Sequence, residues 1–276
     1  MKPPTGSWNG CLLMPRIDAA LLPVVTDLAR GLRALEVPFA VVGALVPELL
    51  LEARPTRMTS DADVTVAVAT FAEFEALKSR LAAFGFARTR SSHRLTHRSG
   101  GVVDLLPFSE SVAPAGRLQW PEGPVLNMAG FSHVLPHVIV TAIEGGPMLP
   151  LAPVPLYVLL KLVAFDDRHA AKDVASVVHC IQHYLDDDER RYEAEFDGMG
   201  VPYDCTGAYL LGVDGRPFLD TQALITTVTR VLDQCRDPEA AIIGAVLRER
   251  GRVAIDDHER HDVFELVRWY RRGTGL

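Results

Sequence analysis

Two apolar runs in this chain carry carboxylates where a strand would carry hydrophobic side chains. Asp61-Ala62-Asp63 opens the run through residue 68, and Asp104 sits inside Val102-Val103-Asp104-Leu105-Leu106. Residues two apart on a strand point to the same face. Asp61 and Asp63 therefore share one cleft if their run is a strand. A neighbouring strand would bring Asp104 beside them. Three carboxylates gathered in one cleft repel each other strongly unless metal cations neutralise them. The chain must then fold around two strands lying side by side with a cation-binding cleft between them.

The surrounding pattern supplies such strands. Ile17, Leu21, Val25, Leu28 and Leu32 recur at helical spacing, so residues 16–35 read as an amphipathic helix. Residues 39–42 form a short buried strand, Gly43 ends it, and residues 44–51 return to helix. Thr70 caps a helix over residues 71–83, assisted by Glu73. Residues 86–89, 93–98 and 102–106 read as short strands joined by turns, one of them Ser99-Gly100-Gly101. Gly145-Gly146-Pro147 and Pro150, Pro153 and Pro155 mark a linker. Beyond it, residues 156–184, 219–235, 237–250 and 258–271 read as helix, with a break near Asp166-Asp167. The expected fold class is α+β: a mixed sheet flanked by helices over residues 16–145, then a mainly helical region over 150–276.

Composition narrows the function classes. A formal net charge of −7 argues against sequence-blind binding along a nucleic acid backbone, while leaving room for a local basic groove. The 28 basic residues are 24 Arg and 4 Lys, a skew that reflects coding bias. Cys11, Cys180, Cys205 and Cys235 form no CxxC pair, which speaks against structural zinc and a disulfide framework. His179 and His183 lie four apart on a helix, but without an HExxH frame. Cys180 reads as a buried apolar residue, and Trp120, Trp269 and Tyr270 as packing residues. Asp214 reads as a turn residue, and Asp186-Asp187-Asp188-Glu189 as a solvated surface. No basic-then-apolar leader opens the sequence and no apolar run reaches the length of a membrane span, so a cytoplasmic protein is expected.

The carboxylate chemistry is specific. Two Mg2+ ions, or Mn2+ in their place, would suit Asp61, Asp63 and Asp104 against a nucleoside triphosphate. One would bridge Asp61 and Asp63 to the triphosphate. The other would join all three carboxylates and favour ionisation of an acceptor hydroxyl. Asp104 could also receive the hydroxyl proton, with pyrophosphate as leaving group. The strand–Gly43–helix turn lets backbone N–H groups meet a phosphate, or is simply a close-packed turn.

Taken together, four motifs resemble the AbiEii-type nucleotidyltransferases of the DNA polymerase β superfamily. They are Gly43-Ala44, Arg57-x-Thr59-x-Asp61-x-Asp63, Val103-Asp104-Leu105-Leu106 and Leu160-Lys161-Leu162-x-Ala164-x-x-x-Arg168-x-x-x-Lys172-Asp173. The resemblance covers about residues 35–180. It implies that Asp61, Asp63 and Asp104 are the metal-binding and catalytic carboxylates. It implies nucleotide binding by Gly43, Ala44, Thr59, Ser60, Lys161, Arg168, Lys172 and Asp173. Lys161, Arg168 and Lys172, at i, i+7 and i+11, would form one basic stripe on a helix, with Asp173 orienting Lys172 or Arg168. The sequence departs from the family at the first turn, where Val42-Gly43-Ala44 offers no hydroxyl.

Family members include toxins that add nucleotides to the acceptor end of transfer RNA. The resemblance thus implies a tRNA or other RNA acceptor and an antitoxin partner. Arg88, Arg90, Arg94, His97 and Arg98 would guide an RNA backbone, with Arg57, Arg94 and Arg98 as candidate acceptor or phosphate contacts. Two alternatives stay open: transfer to a small molecule such as an aminoglycoside, and a catalytically silent nucleotide-binding regulator.

Overall fold

The computed structural model describes residues 17–55, 59–121, 123–185, 189–196, 200–252 and 254–276. Arg57, Cys11 and Asp186 to Asp188 lie outside these residues. In chain order the first half contains α1 (Leu22–Ala34), β1 (Phe39–Val41), α2 (Leu45–Leu50), β2 (Asp61–Ala67) and α3 (Phe71–Arg80). It continues with β3 (Phe86–Arg88), β4 (Arg94–His97), β5 (Val102–Phe108), β6 (Arg117–Gln119), β7 (Val125–Asn127), β8 (Ile139–Ala142) and β9 (Met148–Leu151). The helical half contains α4 (Val154–Arg168), α5 (Ala171–His183), α6 (Arg190–Phe196), α7 (Tyr203–Gly215), α8 (Gln222–Asp233), α9 (Ala241–Glu249) and α10 (Asp257–Thr274). This is the α+β architecture the sequence implies.

Seven strands form one mixed sheet in the order β3-β4-β5-β2-β1-β9-β8, and β6 and β7 form a separate ribbon. β2 is interior: it pairs antiparallel with β1 and parallel with β5. Its inner positions Ala62, Val64, Thr65 and Val66 are buried, as a strand covered on both sides requires. The α3 cap forms as its sequence implies. Thr70 Oγ1 accepts the Glu73 N–H at 3.1 Å, and Glu73 Oε2 accepts the Ala69 N–H at 2.7 Å.

The segment expected as a linker is instead part of the sheet. β8 and β9 form a hairpin turning at Gly145, whose φ is +66°, and β9 pairs parallel with β1. Its prolines are accommodated because Pro150 lies in this short outer hairpin, while Pro153 and Pro155 sit at the start of α4. Leu149 and Leu151 bury their side chains in the core, which a linker would not do.

α4 is buried almost all round, with Leu156, Tyr157, Val158, Leu159, Leu162 and Val163 each at most 1% exposed. A helix apolar on every face belongs in the centre of a core. α4 lies between the sheet side, through α2 and β7, and the helical side, through α5, α7 and α8. α7 and α10 approach so closely that a Cβ on Gly212 would sit 2.3 Å from the Tyr270 carbonyl. Asp214, expected in a turn, is helical and receives hydrogen bonds from Arg190 and Tyr184 Oη. Trp120, Trp269 and Tyr270 are buried, as expected.

One polar cluster ties α1 to the far side of the sheet. Asp27 Oδ2 accepts from Arg98 Nη2 at 2.7 Å and lies 3.1 Å from His97 Nε2, while Arg30 reaches its other oxygen at 2.7 Å. Burial raises the Asp27 pKa, but the His97 and Arg98 hydrogen bonds and the charge of Arg30 outweigh it, so the pKa falls below 3.8. A carboxylate with a depressed folded pKa stabilises fully above its unfolded value and loses that contribution as pH falls through the folded one. Asp27→Asn should therefore cost about 2 kcal/mol at neutral pH, with the deficit closing on acidification below the ordinary carboxylate range. Urea unfolding of both proteins across pH 2 to 7 measures this; an equal deficit at every pH would contradict it.

Candidate active site

Parallel pairing of β2 with β5 sets Asp63 directly beside Asp104, and Asp61 beside Val102. Asp61, Asp63 and Asp104 all line one cavity of about 410 Å³. The three aspartates singled out by sequence are thus brought to one place.

Each is held by specific neighbours. Thr59 Oγ1 donates to the Asp61 carbonyl at 2.9 Å and lies 3.1 Å from its Oδ1. The Thr59 N–H in turn donates to Glu48 Oε1 on α2 at 2.9 Å. Asp104 forms a two-pronged pair with Arg94, Nε to Oδ1 and Nη2 to Oδ2, both 2.7 Å. The same guanidinium reaches Asp61 Oδ2 at 3.7 Å. Asp63 stands among them with its pKa raised, chiefly by burial and then by repulsion from Asp61 and Asp104 against the pull of Lys161 and Arg168. Among the described residues, no three His, Cys, Asp or Glu side chains converge tightly enough to enclose a metal ion as they stand. Arg94 occupies the inner oxygens of Asp104 instead.

Gly43 has a steric role here. A Cβ at this position would lie 2.1 Å from Asp63 Oδ2 and 2.6 Å from Asp63 Cβ. Glycine is needed so that the β1–α2 turn can pass over Asp63. Ala44, the next residue, lines the cavity.

The same cavity is also lined by cations. Asp173, fully buried at the start of α5, accepts from Arg168 Nε at 2.7 Å and Nη2 at 2.6 Å, and from Lys161 Nζ at 3.4 Å. It orients Arg168 and Lys161, whereas Lys172 is exposed and makes no ion pair among the described residues. The expected single basic stripe is corrected: α4 ends where His169 adopts a left-handed φ of +50°, and Lys172 belongs to α5. The break expected near Asp166-Asp167 falls instead at His169-Ala170, on the near side of Lys172. Lys161, Arg168 and Lys172 nonetheless line the same cavity, with Thr59 and Ser60.

The expected basic cluster does not assemble. Arg98 turns away to Asp27, His97 is buried beside it, and Arg88 pairs with Glu75. Only Arg94 of the Arg94/Arg98 pair joins the carboxylates, because Arg98 lies just past the end of β4 and packs toward α1. Residues that sequence reasoning missed include His93, whose Nε2 is 3.9 Å from Asp104 Oδ1, and Arg250, which reaches the cavity from the end of α9. Neither falls in a motif; adjacency to Arg94 was the only available signal for His93. Asp166 pairs with Arg230, and Asp167 accepts the Asn127 N–H. Cys180 is fully buried, and burial drives its thiol pKa far above the ordinary range, which removes it as a nucleophile.

A second cavity of about 670 Å³ adjoins the first. The two share Asp63, Asp104, His93, Lys161 and Arg168 as a common wall.

No protein-family model matches this chain, and no curated protein matches it. Among solved structures it is similar to the Elizabethkingia meningoseptica CdnE cyclic dinucleotide synthase with GTP and Apcpp. The identity is 12%, the alignment covers 95% of this chain and 96% of that one, and the TM-score is 0.30. At that TM-score the likeness adds no weight to the site's own chemistry. No helix among the described residues is long and apolar enough to cross a membrane.

Two outcomes follow from the geometry. Gly43→Ala should displace Asp63 and cost about 1–3 kcal/mol of stability by overpacking, read as a lowered urea midpoint. Asp173→Asn should weaken binding of a magnesium nucleoside triphosphate roughly tenfold by releasing Arg168 and Lys161; calorimetric titration with unchanged affinity would remove Asp173 from a positioning role.

Proposed function

We propose that this protein is a metal-dependent nucleotidyltransferase, moving a nucleoside monophosphate from a nucleoside triphosphate to an acceptor hydroxyl. One observation carries the reading. Asp61, Asp63 and Asp104 line a single cavity together with Lys161, Arg168 and Lys172. Carboxylates alone would repel a triphosphate, and cations alone would bind it without chemistry.

The donor set fits a hard divalent cation. Asp61 and Asp63 offer carboxylate oxygens side by side on one strand face, and burial beside like charges leaves Asp63 in need of a neutralising partner. A Mg2+ or Mn2+ ion held there would supply Lewis acidity at the phosphate oxygens. Lys172 would contact the β- and γ-phosphates, and Arg168 and Lys161, fixed by Asp173, would balance charge near the α-phosphate. Arg94 leaves the outer lone pairs of Asp104 available, so Asp104 can accept the acceptor's proton. The acceptor oxygen bonds to the α-phosphorus, the bond to the bridging oxygen breaks, and pyrophosphate leaves.

A transfer RNA acceptor, a toxin role and an antitoxin partner follow from the family resemblance. The arginines once expected to guide an RNA are largely spent on internal pairs, so the site's own residues do not add to that part. Transfer to a small hydroxylated molecule keeps the same donor chemistry.

Incubation with Mg2+, each α-labelled nucleoside triphosphate and an acceptor panel tests the reading. Label should move to one acceptor class, and Asp61→Ala/Asp63→Ala should reduce transfer at least about 100-fold. Nucleotide binding with no transfer in any mixture would identify a silent regulator instead.

A further inference from the structure

The second cavity differs chemically from the first. Its volume of about 670 Å³ suits a small organic molecule. Beyond the wall it shares with the first cavity, it is lined by Trp120, Phe131, Leu126, Leu106, Leu160 and Val125. Trp120 is fixed by neighbours: its ring lies 6.0 Å from Phe71 at an interplanar angle of 64°, and 5.6 Å from His93. Phe131 is similarly set 6.0 Å from Phe108. Fixed aromatic walls form a slot for a planar body at little ordering cost.

The same lining argues against two other acceptors. Polycationic amino sugars need several free carboxylates. Outside the shared wall, Asp167 is the one carboxylate among the described lining residues, and its Oδ2 already accepts the Asn127 N–H at 2.9 Å. An RNA strand needs a cationic track for its phosphates. Arg88 and Arg98 are paired elsewhere, leaving Arg90 at this rim beside Ser91 and Ser92.

We propose that this chamber is the acceptor pocket and takes a small molecule with a planar ring system and a hydroxyl facing Asp104. The proposal rests on the nucleotidyl-transfer reading and deepens it by naming the acceptor class. The ring lies between Trp120 and the Leu126–Phe131 side, and Arg90 with Ser91 receives polar groups at the open end. The hydroxyl oxygen bonds to the α-phosphorus of the donor held in the first cavity, its proton passes to Asp104, and pyrophosphate departs on the donor side. Nucleosides and plain aryl alcohols both carry this chemistry.

The test uses the full chain with Mg2+ and α-labelled nucleoside triphosphates. Adenosine, guanosine and 2-naphthaleneethanol serve as planar probes, beside kanamycin and total small RNA. Two variants narrow the second chamber: Val125→Arg from the β6–β7 ribbon, where Val125 is 39% exposed and outside the shared wall, and Ala164→Phe from α4, between Lys161 and Arg168. Label should reach a planar probe. Each variant should raise that probe's KM at least tenfold; donor binding stays unchanged in Val125→Arg, which supplies the result if Ala164→Phe does not fold or weakens the donor. Adenosine or guanosine alone as acceptor would assign a nucleoside; 2-naphthaleneethanol as well would assign the wider aryl class. Label on kanamycin or RNA, or a planar acceptor used equally by native protein and Val125→Arg, overturns the acceptor assignment and leaves nucleotidyl transfer standing. Absence of transfer to every acceptor, with donor bound, overturns the transfer reading and this proposal together.

Discussion

The parallel register that sets Asp63 beside Asp104 is the constraint around which the rest of the site is arranged. Like charges on adjacent strands destabilise a sheet unless something compensates them. Here Arg94 bridges Asp104 and Asp61 from β4, and Lys161 and Arg168 approach from α4. Gly43 yields the volume that Asp63 occupies. Removing any of these supports would leave a buried carboxylate facing others of its kind. A fold that tolerates such a pairing stores electrostatic demand at one spot, and a bound cation with a polyphosphate would satisfy it.

The helical half contributes more than a cover. α4 is buried on nearly every face, so its position is set by packing. Its few polar side chains, Lys161 and Arg168 among them, are thereby aimed at the carboxylates. Asp173 then joins the end of α4 to the start of α5 through one fully buried carboxylate. Removing one member of such a buried pair leaves the others uncompensated, so the arrangement is stiff as well as charged. Lys172, exposed and outside that network, adds a further cation to the cavity lining.

The division into two chambers gives each side of the carboxylates its own chemistry. Polar and cationic groups line the smaller one, while aromatic and aliphatic side chains dominate the larger. The β6–β7 ribbon, separate from the main sheet, supplies much of the apolar wall. The two cavities share Asp63, Asp104, His93, Lys161 and Arg168, so each meets the same charged groups from a different lining.

Local chemistry was legible in the sequence. The period-two placement of Asp61 and Asp63, the Thr70–Glu73 cap and the helical repeats of α1, α5 and α10 each follow from contacts a few residues apart. Three features needed the tertiary structure. The proline-rich segment after residue 146 became β9 because β1 had a free edge to pair with. The basic stripe broke at His169: a helix break was expected near Asp166-Asp167, but its exact place, and so the loss of one continuous face through Lys172, was set by the left-handed His169. Arg94 and Arg98, four residues apart, parted to Asp104 and Asp27 because each found a carboxylate from a distant segment. The sequence by itself determined that Asp61, Asp63 and Asp104 lie on two apolar strands. The tertiary structure alone decided which charges are spent on one another and where two chambers meet, because partner choice among distant side chains depends on through-space distance and burial, neither of which is written in local spacing.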